Sequence, residues 1–187
     1  NSKKKNFSNL ENNYFKPDII LLTHLKKICN KYNLNLEILP KTFSENEYLF
    51  FKKYLGKTHW SFKKKIKNPY KYIDQCNIVV FISSTLGYEA IARNKKVLGF
   101  CCKKALQFPD KKNSRSFAWP AYSHKKKGFF WVNELNLKEF TKKFDSLLKM
   151  SKYEWDKKIS KYKKDIVMYN QNNSKLKKII LEVCKNI

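Results

Sequence analysis

The chain has 187 residues, 41 Lys+Arg against 15 Asp+Glu, and a formal net charge of +26. Hydrophobic residues at 42% and aromatics at 16% exclude a disordered polybasic tail. The length suits one domain, or one domain with a helical appendage, and no apolar run approaches the ~20 residues of a membrane span. No signal peptide is visible, and an opening at Asn1 rather than Met fits a processed or partial chain. Only Arg93 and Arg115 are arginines, while Lys, Asn, Ile, Tyr and Phe abound. That skew is the mark of AT-rich coding, which assigns most of the charge to composition rather than to phosphodiester recognition. A protein built to read nucleic acid would hold Arg for its planar fork. No specific nucleic-acid partner is expected, although the positive field favours anionic ligands. A basic, non-catalytic anion- or nucleic-acid-binding domain is the alternative of a different class.

Residues 1–16 are Asn/Lys/Ser-rich and aperiodic, which predicts a mobile lead-in. Pro17 suits a first helical position, and Ile20, Leu21, His24, Leu25 and Ile28 follow at helical spacing to about Tyr32. A short buried strand at Ile19–Leu22 is the rival. Asn35–Leu39, closed by Pro40, reads as a strand. Ser44 and Glu47 form a capping box that opens a helix to about Leu55, and Gly56 stops it. His59–Phe62 suits another strand, and Asn68-Pro69 starts a helix to about Gln75. Asn77–Ile82 is apolar on both faces, as in the middle of a covered parallel sheet. Ser83–Gly87 reads as a polar turn, Tyr88–Arg93 as a helix and Lys96–Phe100 as the next buried strand. This is a compact strand–helix–strand unit.

Cys101–Gly128 has no period and reads as a long loop, a kind of segment usually functional or disordered. Phe129–Val132 is the last strand. Three amphipathic helical faces follow, carried by Leu137–Leu148, Trp155–Tyr169 and Leu176–Val183. The pattern predicts an α/β fold: a Rossmann-like open, mostly parallel sheet flanked by helices, with C-terminal helices. Residues 17–150 would form that domain, and 151–187 the helices packed on it or on a further domain. The five cysteines show no metal spacing and read as reduced thiols of a cytoplasmic protein.

In such sheets ligands bind at the carboxyl ends of the strands. Ser83, Ser84 and Thr85 follow a buried strand and precede a helix, where unpaired N–H groups and the helix dipole favour a phosphate. Gly87 allows a tight turn or close approach to a ligand. Glu89 could accept hydrogen bonds from a ribose diol. Ser and Thr are equally ordinary helix caps.

The run Ser83-Ser84-Thr85-Leu86-Gly87-Tyr88-Glu89-Ala90, then Arg93 and Lys95-Lys96-Val97, resembles the nucleotide-sugar-binding half of GT-B glycosyltransferases. It is most similar to enzymes of surface-carbohydrate and capsule synthesis, including capsule Kdo transferases. Phe117–Pro120, Gly128–Glu134 and the helix around Trp155 extend the likeness over roughly residues 17–165. The resemblance implies that Ser83, Ser84, Thr85 and Gly87 hold the donor phosphate and that Glu89 meets the ribose or sugar. Lys41, beside Pro40, and Arg115, in the long loop, are further candidates for phosphate contact, although a solvated loop arginine is an equal reading of Arg115. His59 and His124 are acid/base candidates, but no catalytic residue is assigned.

The resemblance further implies a CMP- or UDP-linked sugar donor as substrate, no cofactor and no metal, in agreement with the lack of a DxD motif. A glycan or lipid-linked acceptor would be bound by an N-terminal domain that the length leaves out. The place of work would be the cytoplasm, at the inner face of the membrane, with peripheral association with anionic lipid. An epimerase or a polyol-phosphate transferase of the same fold is the alternative within nucleotide-sugar chemistry.

Overall fold

The computed structural model describes residues 2–40, 43–57, 59–64, 66–82, 84–102, 127–166 and 173–185, with only the backbone of residues 2–15, 164 and 165. Lys41, Ser83, Arg115 and His124, and nearly all of the predicted 101–128 loop, lie outside them.

Helix α1 spans Ser2–Tyr32. The expected start at Pro17 is therefore corrected: the helix runs through residues 2–16, and Pro17 lies inside it. Polar residues such as Lys, Asn and Glu supply no apolar stripe, yet they tolerate helix well enough for the segment to extend. The rival strand at Ile19–Leu22 is excluded, because Leu21, Leu22, Leu25 and Ile28 are buried on one helical stripe. Strand β1 (Leu36–Ile38) follows, then α2 (Glu45–Leu55). Ser44 caps α2 as the capping box predicts: its hydroxyl accepts from the Glu47 N–H at 3.5 Å. Gly56 ends the helix at φ +61, in the left-handed region that favours glycine.

Strand β2 (Trp60–Phe62) and helix α3 (Pro69–Gln75) come next, with Asn68 as N-cap and Pro69 in the first turn. Strand β3 (Ile78–Phe81), helix α4 (Thr85–Ala92) and strand β4 (Lys96–Phe100) form the central unit. Strand β5 (Trp131–Val132) is the last strand among the described residues. The chain then folds as α5 (Leu137–Lys149), α6 (Lys152–Ile166) and α7 (Ser174–Lys185), matching the three amphipathic faces.

The fold is α/β, with parallel strands flanked by helices. Among the described residues the strands hydrogen-bond as two sheets, in the orders β1-β2 and β3-β4-β5. Every pairing within them is parallel. An isolated antiparallel bridge joins Lys127 to Val132. Val97 and Leu98 point to opposite faces of β4, and both are fully buried. Both faces of the larger sheet are thus covered, with α4 and α5 packing on β4. The core extends from these strands to Phe130, Phe140, Trp155 and Ile159. Its aromatic end includes Phe130 in T-shaped contact with Trp155 and with Tyr162.

Candidate functional site at the carboxyl edge of the parallel sheet

Because β3, β4 and β5 run parallel, their carboxyl ends share one edge. The residues that leave that edge are Ser84 and Thr85 after β3, Cys101 and Cys102 after β4, and Asn133 and Glu134 after β5. Ser84 and Thr85 are exposed there, whereas both cysteines are buried.

The turn is shorter than the sequence suggests. Helix α4 begins at Thr85 rather than Tyr88, because the Ser84 hydroxyl caps it by accepting from the Leu86 N–H at 3.3 Å. Gly87 therefore sits inside the helix. A Cβ there would lie 2.3 Å from the Phe81 ring, so the glycine lets α4 close onto β3. The Ser84 hydroxyl has one local partner and can still donate to an anion. The amide groups of the first α4 turn point the same way as the dipole's positive end.

Glu89 lies farther along α4. Its Oε2 accepts from the Tyr70 hydroxyl at 2.7 Å, which raises the tyrosine's pKa. The Arg93 guanidinium stacks over the same Tyr70 ring at 4.9 Å. It also makes a two-pronged bond to Asp74, with Nε donating to Oδ1 at 2.9 Å and Nη2 to Oδ2. Hydrogen bonding to Arg93 holds the Asp74 carboxyl below its usual range. Tyr70 and Asp74 are one helical turn apart on α3, as Glu89 and Arg93 are on α4. The network thus joins α3 to α4 side by side.

At the opposite, amino edge of β3 and β4, a cavity of about 540 Å³ is lined by Asp74, Arg93, Lys95, Lys96, Lys152 and Trp155, among others. Lys96 is committed to structure: its Nζ donates to the carbonyls of Leu147, at 2.8 Å, and Met150, closing the C-terminal end of α5. Burial pushes its pKa down. The Trp155 indole N–H is buried there without an acceptor among the described residues. A smaller cavity of about 430 Å³ lies by Tyr48, Lys52, Trp60 and Lys64.

Of the expected site residues, the structure places Ser84, Thr85 and Gly87 together at the β3–α4 junction, with Glu89 on the same helix. Ser83, Lys41 and Arg115 lie outside the described residues. His59 is exposed, and its carbonyl accepts from the Leu36 N–H at 3.0 Å. His24 is held below its ordinary pKa by burial and by Lys27, and it bonds the Thr141 hydroxyl at 2.7 Å. Among the described residues no cluster of three or more His, Cys, Asp or Glu side chains could hold a metal ion. Sequence reasoning missed the role of Tyr70. The one-turn spacing of Tyr70 and Asp74, matched by that of Glu89 and Arg93, was the available signal.

A protein family described as "putative O-antigen biosynthesis protein" matches residues 1–183. The chain belongs to this family. The O-antigen biosynthesis family is one of surface carbohydrate synthesis, which agrees with the coarser part of the resemblance read from Ser83–Ala90. No curated protein and no solved structure matches the chain.

Proposed function

We propose that this O-antigen biosynthesis family member is the nucleotide-sugar donor-binding domain of a metal-independent glycosyltransferase, built as one half of a GT-B fold. The observation that carries the reading is the family match over residues 1–183, on a parallel α/β chain that exposes Ser84 and Thr85 at the carboxyl edge of β3. In this reading the donor diphosphate or phosphate lies at the amino end of α4. The Thr85 amide and the Ser83, Ser84 and Thr85 hydroxyls donate to its oxygens, while the Leu86 and Gly87 amides are held by the Ser84 hydroxyl and carbonyl. As the glycosidic bond to the leaving nucleotide breaks, these fixed dipoles stabilise the growing negative charge without reorganising. Glu89 reorients from Tyr70 to take the ribose or sugar hydroxyls. Lys41 and Arg115 add positive charge, and a partner domain brings a glycan or lipid-linked acceptor on the cytoplasmic side.

Calorimetric titration of CMP, UDP and GDP into the chain tests this. Binding of at least one nucleotide is expected, weakened about tenfold or more by Ser84→Gly, which retains most of the capping energy. Glu89→Gln should weaken nucleosides as well as nucleotides. No binding at millimolar ligand, or binding indifferent to both substitutions, would contradict the reading.

A further inference from the structure

Helix α7 has no buried residue. Leu176, Ile179, Ile180 and Val183 are each at least 50% exposed. Their spacing places them on one aliphatic face about 100° wide, centred between Ile179 and Ile180. Lys175 and Lys177 border that face on its two sides, and Lys178, Lys185 and the exposed Leu181 lie behind it. Glu182 is the helix's one acid, and Lys178 lies 3.9 Å from it. The helix therefore carries four lysines against one carboxylate around an uncovered apolar stripe.

We infer that α7 lies flat on an anionic phospholipid surface, with Leu176, Ile179, Ile180 and Val183 in the acyl–headgroup boundary and its lysines on the headgroup phosphates. Charge decides between occupants. Protein–protein interfaces are depleted in lysine, whereas helices that lie in a bilayer interface carry Lys on the polar face. Lysine stems can run along the apolar stripe while the ammonium groups reach back to phosphate. A second copy of the chain would bring like charges together, because its net charge is +26. No helix among the described residues is long and apolar enough to cross a membrane, so the contact is with one leaflet. The inference goes beyond the proposed donor site and does not depend on it.

Co-sedimentation of the full chain with phosphatidylglycerol/phosphatidylethanolamine vesicles, against phosphatidylcholine vesicles, gives the test. Binding to the anionic vesicles is expected to be at least about tenfold stronger, and to weaken as salt rises from about 50 to 300 mM. Ile179→Asp/Ile180→Asp should reduce it about tenfold or more, with the thermal midpoint unchanged because both side chains are exposed. In an independent variant, Val183→Trp, tryptophan emission should shift to the blue on anionic vesicles alone. The inference is overturned if anionic vesicles are not bound, or if the double variant binds them as well as the parent chain. It is equally overturned if the indole stays in water, or if the parent is a dimer that Ile179→Asp/Ile180→Asp separates.

Discussion

Gly87 shows what one missing methyl group does in this fold. With Phe81 fully packed beneath it, a Cβ at Gly87 would fall inside the ring's contact distance. Gly87→Ala should destabilise the chain by about 1–3 kcal/mol in urea unfolding, and Phe81→Leu should recover part of that loss. The Asp74–Arg93 pair acts differently. Asp74 has a lowered folded-state pKa, caused first by its hydrogen bond to Arg93, so its contribution is present above the unfolded carboxylate value near pH 4. That contribution disappears as the pH falls through the folded value. The Asp74 side chain is 43% exposed, which limits the effect to about 0.5–1 kcal/mol. Asp74→Asn should lose this at pH 7 and match the parent at pH 2, as read from urea midpoints. Ser84→Ala should cost about 1 kcal/mol through the lost cap, against a few tenths for Ser84→Gly.

Elements held by short-range chemistry were readable in the sequence. Ser44 and Asn68 cap their helices through bonds to residues two or three positions on, and Gly56 stops α2 by its own backbone conformation. Apolar periodicity found β3, β4 and the last three helices for the same reason. Elements defined by distant partners were less readable. Nothing local announces that β1-β2 separates from β3-β4-β5, because strand pairing joins residues across whole helices. Lys96 reads as an ordinary charged strand opener, yet it closes the carbonyl end of α5 some fifty residues away in the chain. Pro17 looked like a helix start because proline suits a first turn, but the helix continues through it. Helix α6 is anchored by Trp155 and Ile159, both fully buried. Trp155→Ala should therefore cost about 3–5 kcal/mol and lower the thermal midpoint by several degrees.

At the scale of the whole molecule, two polar regions lie at opposite edges of one parallel sheet. The carboxyl edge offers Ser84, Thr85 and a helix N-terminus, while the amino edge offers a lysine-lined cavity around Asp74 and Arg93. The large net charge does not choose between them, since it is spread along the chain. Parallel-sheet architecture favours the carboxyl edge, because ligands in open α/β sheets gather outside the carboxyl ends of the strands. The motif around Ser84 was readable because strand, turn and helix are consecutive. Its surroundings were not, because Tyr70 reaches Glu89 only after α3 and α4 dock. Titration of the labelled full chain with UDP and CMP, followed through its backbone amide resonances, tests the central claim most directly. The account predicts saturable shifts largest at Thr85, Leu86 and Gly87; shifts confined to the amino edge at Asp74, Lys95 and Lys96, or no shifts at all, would contradict it.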